Sequence, residues 1–202
     1  MKKSPIVKAL PVLLLILSLF VVQVSAAVDP AIQKTSSSSL IKLEIMKGDE
    51  KGNLNLSGKL RRCEFITFVI RMMGYDQETN TDEVIMTYKD MSKRHWAYNY
   101  IKIALKYKLV GGFSDNTIRP DAYLRYADAQ TILIRALGYE SALSGKWPDN
   151  VLSKSAELGL DRNINMPKDK EMTRGEASVL IYNALTIDYS AIETDIQSTT
   201  LE

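Results

Sequence analysis

Three times in this chain an acidic residue is followed at fixed offsets by apolar ones. Glu64 leads Phe65, Phe68, Val69 and Met72, Asp128 leads Ala129, Ile132, Leu133 and Ala136, and Glu176 leads Ala177, Leu180, Ile181 and Ala184. Within each set the spacing is i, i+3, i+4, i+7, which puts all the apolar side chains on one face of an α-helix. Such a face has to be covered, and a single two-helix unit cannot cover its own. The triplication therefore restricts the chain to packed helical units that share a core with their neighbours. The expected fold class is all-α. Gly74-Tyr75 and Gly138-Tyr139 close the first two copies alike, glycine being the residue that ends a helix most easily.

The middle copy is the fullest. Trp96, Tyr100, Ile103, Ala104 and Tyr107 recur at helical spacing and predict a first helix with one apolar stripe. Gly111 and Gly112 are expected to stop it, Ser114-Asp115-Asn116 to turn the chain, and Pro120 to delay the next helix, expected from about Arg125 to Leu137. The third copy opens at Trp147-Pro148-Asp149, with Leu152, Ala156 and Leu158 on its first helix and Gly159 and Pro167 bracketing its turn. Thr173 followed by Glu176 is a capping box. Arg61 and Arg125 stand where that threonine belongs, at a cost of about 1 kcal/mol each unless another group caps those helices.

The first copy is shorter. Leu40, Leu43 and Met46 suggest a brief helix stopped at Gly48, and Gly48 to Asn53 reads as a turn, since it lacks the alternating oxygen ligands of a calcium loop. Residues 27–39, ending in Thr35 and four serines, read as a flexible polar spacer. Residues 186–202 show no sustained period and read as an unstructured tail. At the other end, Lys2, Lys3 and Lys8 precede the apolar run Pro11 to Val24, and Val24-Ser25-Ala26 fits a small-residue cleavage site, so residues 1–26 are expected to be a signal peptide.

The formal charge of +2 depends on those three lysines; without them the acidic residues outnumber the basic by one, and no basic face remains for nucleic acid. A lone cysteine, Cys63, rules out an intrachain disulfide framework and is expected to be a small buried residue. One histidine and one cysteine do not suggest a metal cluster, and no cofactor is implied. No nucleophile-base-orienter constellation appears, and the recurring acids occupy equivalent places in different copies, so no enzyme is expected.

The order of motifs resembles the S-layer homology (SLH) family. These are Tyr88-Lys89-Asp90, His95-Trp96-Ala97, Gly112-Phe113-Ser114-Asp115 and Arg119-Pro120, followed by the closing motif in three copies: Leu60-Arg61-Arg62-Cys63-Glu64, Leu124-Arg125-Tyr126-Ala127-Asp128 and Met172-Thr173-Arg174-Gly175-Glu176. The resemblance implies three SLH repeats at 40–75 (truncated at the front), 88–139 and 140–185, packed with pseudo-threefold character. It further implies a secreted, non-catalytic module held at the bacterial cell surface by a secondary cell-wall polysaccharide, often through a pyruvate ketal whose carboxylate meets the motif arginine. The alternative is a structural S-layer protein that self-associates.

Carried over, that role falls on Arg62 and Arg174, with Arg125, Asp90, Trp96 and Trp147 as further polysaccharide-binding candidates. A cation in the first turn of a helix opposes the dipole by about 0.3–1 kcal/mol, and free N–H groups there attract an anion. In the middle copy Tyr126 holds the matching position and Arg125 comes one residue early, a rotation of about 100° on a helix, so two working sites are expected. Plainer roles exist for each residue. The arginines would pair with carboxylates of a neighbouring repeat, Glu64, Asp128 and Glu176 would cap helices, the tryptophans would pack between helices, and His95 would cap locally.

Overall fold

The computed structural model describes residues 28–190; the expected signal peptide and residues 191–202 of the expected tail lie outside the described residues. Among the described residues six α-helices follow in order: α1 Pro30–Lys42, α2 Arg62–Met72, α3 Tyr98–Lys106, α4 Tyr126–Ala136, α5 Asp149–Leu158 and α6 Arg174–Ala184, with a 3-10 turn at Glu140–Ala142. No strand occurs among the described residues, in agreement with the all-α expectation.

Helices α2, α4 and α6 carry the repeated apolar stripes and contact one another. They are buried beyond those stripes: Ile70, Ile134 and Val179, off the repeated positions, are also closed to solvent. The reason is an outer layer. Helix α3 packs on α2, α5 on α4, and α1 on α6. The first helix of each copy thus covers the second helix of a different copy, and the first described helix of the chain covers the last. Each fully buried Phe, Leu or Ile in this layer contributes about 1.5–3 kcal/mol, which is what holds short helices in place.

Extended segments just before the inner helices meet in a closed ring. The N–H of Leu60 donates to the Met172 carbonyl, that of Met172 to Leu124, and that of Leu124 back to Leu60, each at 2.9 Å. All three side chains are buried. Isolated antiparallel bridges pair Lys59 with Thr173, Arg61 with Tyr123 and Arg125 with Glu171. The glycine signals hold as well. Gly74 (φ 74°) and Gly138 (φ 81°) are left-handed, and the N–H groups of Tyr75 and Tyr139 return to Ile70 and Ile134.

The expected spacer at 27–39 is instead most of α1. Asp29 caps the helix by accepting the Ala31 N–H at 2.7 Å, and Pro30 sits at its first position. Thr35, Ser37 and Ser39 donate their hydroxyls to carbonyls three or four residues back, so these three are satisfied within the helix. Ser36 and Ser37 are buried because small side chains let α1 approach α6 closely. At that approach Gly175 leaves no space for a Cβ, the Gln33 side chain and the Leu56 carbonyl standing in its way. Leu43 lies past the helix end and is exposed, so the brief helix expected around Leu40 to Met46 is displaced towards the N-terminus.

Other departures are local. Helix α3 ends at Lys106, before the glycines, and Lys108 takes the left-handed conformation (φ 56°). Gly112 serves a different purpose, its N–H donating to the Tyr88 hydroxyl at 3.1 Å. Helix α5 buries Val151 and Ser155 and exposes Ala156. The start of the expected tail is packed: Ile187 lies against the core, Ser190 N–H donates to the Leu137 carbonyl at 2.9 Å, and Tyr139 OH to that of Asp188.

Candidate functional site

The starts of α2 and α6 hold the two motif arginines, and their backbone N–H groups are already used. Arg62 and Cys63 donate to the carbonyls of Ala122 and Pro120, and Arg174 and Gly175 donate to those of Gly58 and Leu56, at 2.8–2.9 Å. In α6 the capping box is complete, Glu176 N–H donating to Thr173 Oγ1 and Thr173 N–H to Glu176 Oε2 at 2.8 Å. In α2 half of it survives, Glu64 Oε2 accepting the Arg61 N–H at 2.8 Å. The expectation of free amides for an anion is therefore corrected: neighbouring copies fill these helix starts with their own carbonyls, and any anion has to be held by side chains.

Those side chains line two grooves built alike. The first, of about 340 Å³, is lined by Arg174 with Glu64, Thr67, Phe68, Arg71 and Trp96. The second has two lobes of about 190 and 170 Å³ and presents Arg62 with Asp128, Thr131, Ile132, Arg135 and Trp147. Position by position the α2 and α4 residues correspond, because both helices carry them at the same offsets from the acidic residue. Both tryptophans are exposed, Trp96 by 58% and Trp147 by 55%, so neither packs between helices. Trp147 is oriented by its indole N–H, which donates to Thr131 Oγ1 at 3.0 Å.

The arginines differ in their surroundings. Arg174 uses each of its nitrogens: Nη1 donates to Glu64 Oε1 at 2.7 Å, Nε to the Leu54 carbonyl at 2.9 Å and Nη2 to the Lys47 carbonyl at 3.1 Å. Its pairing with a carboxylate of another copy is the plainer role the sequence allowed. Arg62 has no such pair among the described residues. It is 8% exposed, its Nε has no hydrogen-bond partner, and its guanidinium carbon lies 5.5 Å from the Phe113 ring centre. Burial pushes the Arg62 pKa down; Asp128 opposes that shift, while Arg135 and Arg119 add to it. Arg119 has its own carboxylate in Asp115 and Arg135 has Glu140.

Arg125, expected one residue out of register, is the extended residue before α4 and lines the Arg62 groove. At the third equivalent place Tyr126 of the middle copy and Asn183 of the last stand where the other two have arginines. Tyr126 is buried, and Asn183 Nδ2 donates to the carbonyls of Leu160 and Arg162. Asp90 lines neither groove. Its carboxylate accepts the N–H groups of Ile118 and Arg119 at 2.9 and 2.8 Å and holds the loop that carries Phe113 and Arg119.

Cys63 is fully buried, as expected, and desolvation pushes its thiol up to about 12. The structure does bring Cys63, His95 and Asp121 within 4.8 Å of one another, a meeting that counting cysteines and histidines did not foresee. His95 Nδ1 accepts the Ala97 N–H at 3.1 Å, which leaves the proton on Nε2, 3.4 Å from Asp121. A cation at Nε2 would need the lone pair that this proton occupies. The local capping role of His95 stands.

Residues 87–129 match the family model of the S-layer homology domain. Over those residues the chain is similar to that domain. The SLH match runs from the strap before α3 into the first turn of α4. The middle cell wall protein of Brevibacillus brevis is 33% identical over 146 residues, 72% of this chain and 14% of that protein. The cell surface protein of Thermoanaerobacter kivui is 30% identical over 160 residues, 79% of this chain and 21% of that one. The cellulosome-anchoring protein of Acetivibrio thermocellus is 27% identical over 92 residues, 46% of this chain and 21% of the relative. The chain thus spans about a seventh to a fifth of the length of these relatives. The SLH domain and the surface proteins that share it indicate a secreted, cell-wall-associated surface protein. No helix among the described residues is long and apolar enough to cross a membrane.

Proposed function

We propose that this protein is a non-catalytic cell-surface anchoring module whose two arginine grooves bind an anionic, pyruvylated secondary cell-wall polysaccharide. The observation that carries the reading is Arg62: a guanidinium 8% exposed, with an unpartnered Nε, set beside an exposed tryptophan in a chain with an SLH domain. A buried cation without an acceptor is costly, and a carboxylate is the group whose planar oxygens match its fork. Trp96 and Trp147 offer faces on which sugar rings stack, and Arg125 adds charge to the second groove. Two weak sites on one rigid body bind a repeating polymer more tightly than either alone.

Three repeats, at 40–75 (extended forward to take in the helix Pro30–Lys42), 88–139 and 140–185, with pseudo-threefold character fit this reading. The Leu60–Met172–Leu124 hydrogen-bond ring and the cyclic covering of α6 by α1, α2 by α3 and α4 by α5 support it. Residues 1–26 act as the export signal. The experiment is co-sedimentation of the protein with isolated wall polymer before and after mild acid removes ketal-linked pyruvate. Binding is expected only to the untreated polymer. Equal binding to both refutes the carboxylate contact, and assembly into large particles without polymer favours a self-associating surface protein instead.

A further inference from the structure

Glu64 and Asp128 stand at the same place in the two grooves, facing Arg174 and Arg62 in turn. We propose that the one methylene between them separates a self-filled groove from an open one. Glu64 holds the anion position beside Arg174, whereas Asp128 stops short of Arg62 and leaves it as the primary receptor for a ligand carboxylate. The inference rests on the polysaccharide reading for the identity of the ligand.

Glu64 reaches two partners at once. Oε2 accepts the Arg61 N–H at 2.8 Å while Oε1 accepts Arg174 Nη1 at 2.7 Å. With the Leu54 and Lys47 carbonyls on Nε and Nη2, each nitrogen of the Arg174 guanidinium already donates to the protein. A ligand carboxylate has to displace Glu64, breaking a charge-assisted bond to make another of the same kind. That exchange gains little. Asp128, shorter by one carbon, makes no ion pair with Arg62 among the described residues, and Arg125 has no side-chain bond at the helix start. Arg62 gains its acceptor when the ligand arrives.

Net charge does not separate the grooves. The Arg62 groove gathers Arg62, Arg119, Arg125 and Arg135 against Asp128, but Arg119 and Arg135 are already paired with Asp115 and Glu140. The Arg174 groove sets Lys47, Arg71 and Arg174 against Asp49 and Glu64. Each has a tryptophan, a threonine and an apolar residue at matching positions. The acidic residue of the closing motif, whose capping role is plain from its position in the helix, is therefore also the residue that sets site strength.

The protein has two tryptophans, one in each groove, so their indole N–H resonances report the sites separately. The intact protein, labelled with nitrogen-15 and assigned from W96F and W147F, is titrated with pyruvate and, separately, with fragments of isolated pyruvylated wall polysaccharide. The Trp147 signal is expected to reach its midpoint at a concentration about tenfold below that of Trp96. Glu64→Gln keeps an acceptor for the Arg61 N–H and removes the charge; it should lower the Trp96 midpoint several-fold and leave Trp147 unmoved. Asp128→Glu should raise the Trp147 midpoint. Coincident midpoints in the native protein, or a Trp96 midpoint unchanged by Glu64→Gln, overturn the inference even while the polysaccharide binds. Pyruvate moving Trp147 first while the polysaccharide moves neither signal supports the inference and refutes the polysaccharide reading. If neither probe moves either signal, both fail.

Discussion

The Arg174 groove and the Arg62 groove share a backbone frame, a tryptophan at the rim and an arginine in the first turn of a helix, yet one arginine has a carboxylate partner and the other has none among the described residues. Arg174 has a carboxylate and two carbonyls around it; Arg62 has an aromatic ring and an Nε with no acceptor. The comparison teaches that a repeated motif fixes where a guanidinium sits without fixing what it is for. In one copy it ties two repeats together. In the other it has no carboxylate partner among the described residues.

The largest expected contrast is in stability. Arg174→Ala breaks a 2.7 Å ion pair with a half-buried carboxylate and frees two carbonyls, and should lower the unfolding free energy by about 2–3 kcal/mol in urea titrations. Arg62→Ala removes a buried charge that has no ion pair among the described residues and should stay within about 1 kcal/mol. Equal losses in the two variants would break the comparison. The next contrast is in binding. Trp147→Ala should weaken polysaccharide binding about tenfold and Trp96→Ala less, with melting temperatures unchanged because both rings are exposed.

Thr131→Val, which removes the acceptor of the Trp147 indole, should weaken binding about threefold; Thr67→Val, at the matching place, should not. The smallest expected signal comes from Cys63, next to Arg62 in the chain. Its thiol is buried and pushed up to about 12, so the thiolate is negligible at pH 8 and a thiol reagent should label it only after unfolding.

The inner helices were legible in the residues because their signals are local: the repeated stripe, the Thr173–Glu176 box and the Gly-Tyr closures all act within a few positions. Helix α1 was not, because its run of Thr35 and four serines has spacer composition, and only α6, far along the chain, makes burial of small hydroxyl residues worthwhile. Trp96 read as part of a stripe because it keeps helical spacing with Tyr100, yet α3 begins only at Tyr98 and the ring faces out. For the site, Arg62, Arg174, Trp96 and Trp147 were named from motif position, and the structure brings each into a groove. The filling of the helix starts by Ala122, Pro120, Gly58 and Leu56 carbonyls was invisible, since it depends on how distant copies meet. So was the reach of Glu64 across to Arg174.

The most direct measurement is co-sedimentation of the Arg62→Ala variant with isolated native walls, its fold checked by circular dichroism. The account predicts that the folded variant stays largely in the supernatant under conditions where the unaltered protein is pelleted. A folded variant that pellets with the walls as completely as the unaltered protein would contradict it.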